Sequence, residues 1–279
     1  MGALGFRTID HAVAEQLLGD GVMVIDVRTP GEYEHLGHIP GALLIPVDLI
    51  ASAPAVLPAD TTTVLVYCEH GVRSRAASEL LAAAGIAEVL NLAGGLEPWR
   101  GPREFGAGAI SGPSSWLLNN ADLLHRGGRV LDVACGRGRH ALLLAGAGFD
   151  VTAMDRNAEA ITQLTGFARG LGVPLAATVI DLETDPPPHL GSQLYDAILV
   201  FNYLHRPLMP ALREAVKVGG RIFYETFTER QAESGRPRNP KFLLEDGELE
   251  QLMQPFTILR SRAGEFDGRW IASVVAERP

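Results

Sequence analysis

The sequence predicts an α/β protein with two domains, each built on a largely parallel sheet with helices on its faces. The chain has 279 residues, whereas domains usually contain about 100–200. Short apolar runs of strand length alternate with helical patterns, which is typical of parallel sheets covered on both faces. A stretch rich in Gly, Pro and Ser, 101–115, interrupts this alternation and is typical of a linker.

The predicted first domain spans residues 1–104, and the predicted linker spans 105–115. Within the domain, the apolar runs 22–27 (VMVIDV) and 63–68 (TVLVYC) predict buried strands, with helical patterns between them. The domain is acidic, because it holds six arginines, no lysine and 13 Asp or Glu residues. The predicted second domain, 116–279, is close to charge balance.

Strand and helix patterns alternate more regularly through the second domain. The predicted strands are 129–134, 150–155, 175–181, 195–202 and 221–227, followed by FTILRSR and WIASVVAER as a closing pair. The predicted helices are 139–148, 157–172 with Asn157 as its cap, 207–220, and one within 243–256.

Composition and charge exclude several classes of function. The net charge is −9 with only two lysines, so no basic stripe is present and nucleic acid is not expected as the main partner. No apolar run reaches the roughly 18 residues of a membrane span, and no secretory signal is evident, so we expect a cytoplasmic protein with no membrane partner. Cys68 and Cys135 fall in different predicted domains, so neither a disulfide nor a structural zinc site is expected, and no metal site is predicted.

The first chemically informative feature is a cysteine at the end of a buried strand. The six-residue loop 68–73 (CEHGVR) leads into a helix predicted to begin near Ser74. Backbone N–H groups of such a loop and of the helix N-terminus point toward the loop centre. Together with Arg73 they favour a thiolate, and Gly71 permits the tight turn. We therefore predict that Cys68 is a nucleophile rather than an inert buried thiol.

Three segments of the first domain resemble the rhodanese family in order, spacing and residue type: 25–46 (IDVRTPGEYEHLGHIPGALLIP), 67–85 (YCEHGVRSRAASELLAAAG) and 89–100 (VLNLAGGLEPWR). The resemblance covers essentially residues 5–100. It implies that Cys68 accepts a sulfane sulfur as a persulfide and passes it to a nucleophile, with Arg73 assisting. The substrate-contacting residues that it implies are Arg28, Glu69, His70, Gly71 and Val72.

The resemblance also places Asp26 and Arg28 beside the cysteine loop, and it leaves Glu32 and His38 to fix the loops around the site. Glu69 puts a negative charge at the rim, which should disfavour small anionic donors such as thiosulfate. The expected donor is then a persulfide or another protein, and a sulfur-carrier protein is a candidate partner.

The second feature is a glycine turn between the first strand and the first helix of the second domain. The turn contains Ala134, Gly136 and Gly138, and glycine lets the backbone approach a bound nucleotide closely. It lacks the GxGxxG pattern of dinucleotide-binding enzymes, so NAD is a poor fit. Asp155 and Asp181 end the next two strands, where they suit hydrogen bonds to ribose hydroxyls and to an adenine amino group.

This domain resembles the class I S-adenosylmethionine-dependent methyltransferases over about residues 113–279, with Ala134 where the usual motif has glycine. Segments 132–145, 195–212 and 234–252 resemble a bacterial subgroup similar to tellurite-resistance and thiopurine methyltransferases. The implied cofactor is S-adenosylmethionine, which leaves as S-adenosylhomocysteine. The cofactor-binding residues that the resemblance implies are Asp132, Ala134, Gly136, Gly138, Asp155, Arg156, Asp181, Leu182, Phe201 and Asn202.

The acceptor is predicted to be a small molecule. A soft, ionised sulfur, selenium or tellurium species needs little general-base help, whereas an oxygen nucleophile needs a base. Tyr203, His205 and Arg206 follow the fourth strand and are candidates to line the acceptor pocket, with His205 as the candidate base. Arg236 and Arg238 lie in a Pro/Gly-rich loop that is a candidate lid over an anionic acceptor.

The sequence leaves three functional hypotheses open. In the first, sulfur or another chalcogen activated on Cys68 is methylated by the second domain. In the second, the methyltransferase acts on an unrelated small metabolite or a protein, while the first domain works as an independent sulfurtransferase. In the third, the first domain is a redox or persulfide sensor that regulates the methyltransferase.

Overall fold

The computed structural model describes residues 5–106 and 112–279 and divides into two compact units, Met1–Asp122 and Leu123–Pro279. Residues 107–111 of the predicted linker lie outside the described residues. The division falls beyond residue 115, where the sequence predicts the end of the linker. The reason is that the short helix Ser115–Asn119 belongs to the first unit.

The first unit is a parallel sheet with short helices. Its described strands are β1 (Phe6–Ile9), β2 (Met23–Asp26), β3 (Leu43–Leu44), β4 (Thr63–Tyr67) and β5 (Glu88–Leu92). Its described helices are α1 (His11–Gly19), α2 (Pro30–His35), α3 (Ala53–Val56), α4 (Val72–Ala83) and α5 (Ser115–Asn119). The strand order is β1-β5-β4-β2-β3, and the described pairs are parallel.

Local sequence explains where these elements begin. The Asp10 side chain accepts a hydrogen bond from the Val13 N–H and caps α1. At α2, Thr29 accepts from the Glu32 N–H while the Glu32 carboxylate accepts from the Thr29 N–H, which is a complete capping box ahead of Pro30. The middle strand β4 is buried on both faces, as its continuous apolar run predicts. Its carboxyl end therefore delivers the next residue, Cys68, from a rigid support.

The second unit is described throughout and holds a seven-stranded sheet. Its strands are β6 (Arg129–Val133), β7 (Asp150–Asp155), β8 (Ala176–Val179), β9 (Tyr195–Phe201), β10 (Val216–Phe227), β11 (Thr257–Phe266) and β12 (Arg269–Glu277). Its α-helices are α6 (Arg139–Gly146), α7 (Ala158–Gly170), α8 (Met209–Ala215), α9 (Gln231–Ser234) and α10 (Glu248–Leu252). The order is β11-β12-β10-β9-β6-β7-β8, and β12 runs antiparallel to both of its neighbours.

Two details of this sheet follow directly from residue type. Asn157 caps α7 by accepting from the N–H groups of Glu159 and Ala160, as predicted. The closing strands β11 and β12 form a hairpin whose turn residues, Asp267 and Gly268, both have positive φ. An Asp-Gly pair suits such a turn because its backbone twist matches that of the flanking strands.

The helix predicted over 207–220 is wrong in its second half. A 3₁₀ turn over Arg206–Leu208 leads into α8, which ends at Ala215, and 216–220 already belongs to β10. Val216 pairs with Tyr195 of β9, and the register shifts before Arg221 resumes the pairing. The glycines at 219 and 220 allow this irregularity without continuing a helix. The helix predicted within 243–256 is confined to Glu248–Leu252.

Candidate active sites

The first site is the cysteine loop at the carboxyl end of β4. Cys68 is 1% exposed, and its Sγ accepts a hydrogen bond from the Gly71 N–H at 3.1 Å. Gly71 has φ +83°, in the left-handed region that favours glycine, and it is the residue before α4. The helix begins at Val72 rather than near Ser74, so the last two loop residues already form its first turn. The Ser74 N–H of this first turn consequently faces the sulfur.

The loop stabilises the thiolate form of the cysteine. Burial would raise the pKa of the Cys68 thiol, but this is outweighed by hydrogen bonding from the Ser74 side chain and from the N–H groups of Ser74, His70 and Gly71. The net result is a pKa below the ordinary value. The Ser74 hydroxyl is fully buried and bonds no oxygen or nitrogen among the described residues, which leaves its proton available to the sulfur.

Arg73 is held differently from the sequence prediction. It forms a bidentate pair with Glu32, at 2.8 Å from Nη1 to Oε2 and 2.5 Å from Nη2 to Oε1. This pair lowers the pKa of Glu32 to about 2. The pKa of Arg73 is raised chiefly by Glu32 and only secondarily by the charge of Cys68. The Ser74 hydroxyl and the backbone N–H groups, and not a free guanidinium, therefore stabilise the thiolate.

Arg28 is likewise part of a closed cluster. It is fully buried, pairs with Asp26 at 2.8 Å and with Glu69 at 2.6 Å, and donates to the Gly37 carbonyl at 2.7 Å. The Glu69 side chain is only 17% exposed, so it is less open to solvent than the sequence suggests, and it shares the single charge of Arg28 with Asp26. The substrate role inferred for Arg28 is therefore not supported by its position. His70 and Val72 remain on the exposed side of the loop.

A second loop, residues 93–98 (AGGLEP), is hydrogen-bonded to the cysteine loop, although its sequence was not identified as part of the site. The N–H groups of Leu96 and Glu97 donate to the carbonyls of Cys68 and Glu69 at 2.8 and 3.0 Å. A Cβ at Gly95 would lie 2.4 Å from the Cys68 carbonyl oxygen. The pair of glycines in AGGLEP is the signal that identifies this close approach, since only glycine permits it.

The second site is a cavity of about 350 Å³ at the carboxyl ends of the strands of the second unit. Its walls combine acidic, amide and apolar side chains. The lining residues are Ala134, Asp155, Arg156, Ile180, Asp181, Leu182, Glu183, Asn202, Tyr203, Leu204, Phe227, Pro237 and Phe242. Seven of these were predicted from the sequence, whereas Ile180, Glu183, Leu204, Phe227, Pro237 and Phe242 were missed. A shallower depression, lined in part by Gly136 and Arg137, adjoins the cavity at Asp155 and Arg156.

Asp155 organises the glycine turn. One carboxylate oxygen accepts from the Gly136 N–H at 2.8 Å, and the other accepts from the Asn157 N–H at 2.8 Å. A Cβ built on Gly136 would meet nothing within 4 Å, so the space beside the turn is open. Open space beside glycine, next to an acid at a strand end, fits a nucleotide ribose.

Two lining residues hold uncommon backbone conformations. Ala134 has φ +53° and Asn202 has φ +56°, and each follows the last residue of a central strand. Asn tolerates this left-handed region, but Ala is strained there by about 1–2 kcal/mol. Strained residues at the mouth of a pocket are typical of binding sites.

Three predicted cofactor residues lie behind the cavity wall. Asp132 is 2% exposed and accepts from the Ala141 N–H at 3.1 Å, and burial raises its pKa to about 7. A Cβ on Gly138 would meet Leu164 at 2.4 Å, so this glycine packs α6 against α7. Phe201 is buried with its ring 4.3 Å from that of His140. These residues support the wall and do not form it.

Several predicted acceptor residues are placed elsewhere. His205 does not line the cavity; it is 8% exposed, and both ring nitrogens are buried without a hydrogen-bond partner among the described residues. Arg206 pairs with Glu248 and donates to the carbonyls of Lys241 and Leu243, so it anchors the segment that carries Phe242. The chain enters the 3₁₀ turn Arg206–Leu208 at these two residues, which directs both side chains away from the cavity.

Tyr203 does line the cavity, and its hydroxyl is buried without a partner among the described residues. Burial, followed by the charge of Glu183, raises the pKa of this phenol. Arg236 and Arg238 are exposed on either side of Pro237, which lines the cavity. They therefore lie at its rim and not inside it.

Two arginines of the closing hairpin, Arg262 and Arg269, were not predicted from the sequence to lie near the strand ends. Arg269 donates to the Asn202 side-chain oxygen at 3.4 Å. Arg262 pairs at 2.9 Å with Glu225, which is 1% exposed and also accepts from Ser273 at 2.7 Å. The hairpin β11–β12 thus brings two arginines to the strand ends, each beside a carboxylate: Arg262 beside Glu225, and Arg269 at 3.8 Å from Asp267. Only the pairing of distant strands reveals it, since no local motif marks these arginines.

Neither a metal centre nor a membrane segment is found in the part of the chain that the structure describes. Over residues 5–106 and 112–279, no cluster of three or more His, Cys, Asp or Glu side chains could hold a metal ion. Within the same ranges, no helix is long and apolar enough to cross a membrane.

Two family models match separate parts of the chain. The model of the rhodanese-like domain family matches residues 10–102. A sulfurtransferase of Allochromatium vinosum is 40% identical over 93 residues, which cover 33% of this chain and 85% of that protein. The thiosulfate sulfurtransferase GlpE of Pseudomonas paraeruginosa is 37% identical over 99 residues, 34% of this chain and 84% of that protein.

The model of the tellurite resistance protein TehB matches residues 115–260, which is more than half of the chain. Among solved structures, TehB from Haemophilus influenzae aligns with a TM-score of 0.51 and 20% identity. The alignment covers 60% of this chain and 63% of that one. At this identity the likeness concerns the fold.

Proposed function

Because the chain belongs to the tellurite resistance protein TehB family and carries a rhodanese-like domain ahead of it, we propose a bifunctional reaction scheme. Cys68 carries sulfane sulfur as a persulfide. The second unit transfers a methyl group from S-adenosylmethionine to a small, soft nucleophile such as a reduced sulfur, selenium or tellurium anion. The chain is thus a methyltransferase joined to a sulfurtransferase-like domain.

The cysteine loop supports the sulfur-carrying role. Its thiolate attacks the sulfane sulfur of a donor, the donor's S–S bond breaks, and the leaving group departs with the bonding pair. The terminal sulfur of the resulting persulfide lies where the N–H groups of His70, Gly71 and Ser74 stabilise negative charge. The buried Ser74 hydroxyl supplies a further donor. The same cage that lowers the pKa of Cys68 therefore also stabilises its product.

S-adenosylmethionine is the cofactor, and it supplies a methyl group attached to a positively charged sulfur. The cavity suits such a cation, because Asp155, Asp181 and Glu183 outnumber Arg156 among its charged lining residues. Asp155 would hold the ribose hydroxyls, while Asp181 with Leu182 would meet the adenine. Asn202 would border the reacting methyl group.

The observation that carries the choice of acceptor is that the cavity wall has no uncommitted general base. Its lining, all within the described residues, contains neither His nor Lys, and Tyr203 has a raised pKa. Of its carboxylates, Asp155 and Asp181 are assigned to the cofactor, and Glu183 lies 3.9 Å from Arg156 and 3.5 Å from Lys241. An alcohol or phenol would need a base to give up its proton. A hydrosulfide, hydroselenide or hydrotelluride arrives already ionised and needs only alignment.

The test is a direct acceptor assay with the full chain and S-adenosylmethionine. Hydrosulfide, hydroselenide and methanethiol are compared with a phenol and an amine, and S-adenosylhomocysteine and methylated products are measured by mass spectrometry. We expect methylated chalcogen products and no reaction with the phenol. Turnover of the phenol or the amine alone would refute the soft-acceptor proposal.

A second arm asks whether the two activities are linked. The protein is first loaded with a sulfane donor, and Cys68→Ser is the control. Methylated sulfur that appears only with intact Cys68 indicates direct handover. A stable persulfide on Cys68 without methylated sulfur indicates two separate activities, as in the alternative of an independent sulfurtransferase.

A further inference from the structure

The two arginines nearest the cysteine loop are both neutralised by carboxylates. Arg73 is bound through both terminal nitrogens to Glu32, and the side chains of the pair are 34% and 25% exposed. Arg28 is fully buried between Asp26 and Glu69. Arg28 presents no open edge for a second anion, because its Nε, Nη1 and Nη2 all donate to protein oxygens. The terminal nitrogens of Arg73 are engaged by Glu32, which also offsets its charge.

The remaining charges near the loop are negative or paired. Glu69 directly follows the cysteine, and Glu97 faces the exposed His70 at 3.3 Å. The predicted first domain as a whole contains six arginines, no lysine and 13 acidic residues. Such a field repels an approaching dianion more strongly than a monoanion or a neutral molecule. Thiosulfate is a dianion at neutral pH.

The groups that do face the sulfur are neutral donors. The N–H groups of His70, Gly71 and Ser74 and the Ser74 hydroxyl are enough to hold one sulfur atom with a single charge. Beside them, Val72 is 77% exposed and offers an apolar surface at the loop rim. This arrangement suits a donor whose sulfane sulfur enters the cage while an organic group stays outside.

We propose, on the basis of the sulfur-carrying role of Cys68, that the donor is an organic persulfide, R–S–SH, and that Glu32 and Glu69 select against thiosulfate. The Cys68 thiolate bonds to the outer sulfur, the S–S bond of the donor breaks, and R–S⁻ leaves. The sulfane sulfur keeps its oxidation state, so no external oxidant or reductant is needed. The proton stays on the transferred sulfur or passes to the leaving thiolate.

In this chain the proposed preference arises from the carboxylates that engage the arginines and not from the cysteine cage. Removing one carboxylate should therefore move the preference toward thiosulfate. Glu32→Gln is suitable because glutamine preserves the capping box of α2 while releasing Arg73 from its ion pair.

The experiment measures persulfide formation on Cys68 of the full chain by intact mass, together with kcat/KM for sulfur transfer to cyanide. The donors are thiosulfate, glutathione persulfide and a persulfide on a carrier protein, so the last two arms distinguish the source of the same chemistry. We expect either persulfide to exceed thiosulfate by at least about tenfold. Glu32→Gln and Glu69→Gln should each raise kcat/KM for thiosulfate about fivefold.

Glu79→Gln is the matched control, because it removes one negative charge from the exposed face of α4, away from the loop. Its kinetics should equal those of the wild type. The donor preference alone would be overturned if the wild type used thiosulfate as fast as the persulfides or faster. It would also be overturned if neither Glu32→Gln nor Glu69→Gln raised kcat/KM for thiosulfate above that of the control. Absence of a persulfide on Cys68 with every donor would instead refute the proposed function, and the donor preference with it.

Discussion

Substitution of Gly95 by alanine tests whether the supporting loop sets the reactivity of the cysteine. A Cβ at this position would lie 2.4 Å from the Cys68 carbonyl oxygen and 2.5 Å from that of Glu69. Both carbonyls already accept backbone hydrogen bonds, at 2.8 and 3.0 Å, so they cannot retreat without breaking them. The cysteine loop must therefore shift as a whole.

The expected cost combines two effects. Gly95 has φ +71°, and an L-residue in that region costs about 1–2 kcal/mol. Overpacking against fixed backbone adds about 1–3 kcal/mol. The first unit should lose about 2–5 kcal/mol of stability. The shift should also disturb the N–H cage, so that the pKa of Cys68 rises toward its ordinary value.

Gly94→Ala is the matched control. Gly94 has a similar φ of +69°, but its Cβ would meet only the Pro98 side chain, at 3.1 Å. Hydrogen exchange of β4 amides reports the stability of the first unit separately, and the pH dependence of Cys68 alkylation reports the pKa. The reasoning is refuted if the two alanine variants have equal protection and equal alkylation profiles.

Three further predictions concern single side chains. Ser74→Ala should raise the pKa of Cys68, as read from the pH titration of ultraviolet thiolate absorbance, and should slow alkylation of Cys68 at neutral pH. An unchanged titration would exclude the hydroxyl from the cage. Burial raises the pKa of Asp132 to about 7, so the stability of the cofactor-free protein should fall as pH rises from the ordinary carboxyl range through about 7. Asp132→Asn keeps the acceptor for the Ala141 N–H and should remove up to about 4 kcal/mol of that loss in the free energy of unfolding. Parallel pH–stability curves for the wild type and Asp132→Asn would contradict this prediction. Ala134→Gly relieves a φ of +53° and should stabilise the second unit by about 0.5–1 kcal/mol in thermal unfolding, and a lower midpoint would show that the conformation is not strained.

The parts of each site that lie within one strand–turn–helix segment could be predicted from the sequence. Cys68 and Gly71 form one such segment, and Ala134 with Gly136 forms another. In each case a buried strand ends, glycine makes the turn, and a helix begins, so the chemistry depends on near neighbours in the chain. Asp155 could also be predicted, because parallel strands end at the same edge of a sheet.

Side chains that follow a strand were harder to predict, because their direction depends on the turn that comes next. Tyr203 and His205 are two residues apart, yet only Tyr203 lines the cavity. The helix predicted over 207–220 failed for a related reason. The segment 216–220 (VKVGG) has poor helix propensity, and pairing of Val216 with Tyr195 on the neighbouring strand places it in the sheet.

The sequence by itself determined the fold class, the two-domain organisation, the cysteine loop and the glycine turn, because periodicity and turn chemistry act over a few residues. Only the tertiary structure decided the electrostatic state of the sites. Glu32 and Arg73 are 41 residues apart in the chain, and Arg262 meets Glu225 across 37. Whether an arginine is open to a ligand or closed by a carboxylate depends on such pairings, since Coulombic interactions depend on distance in space and not on separation along the chain.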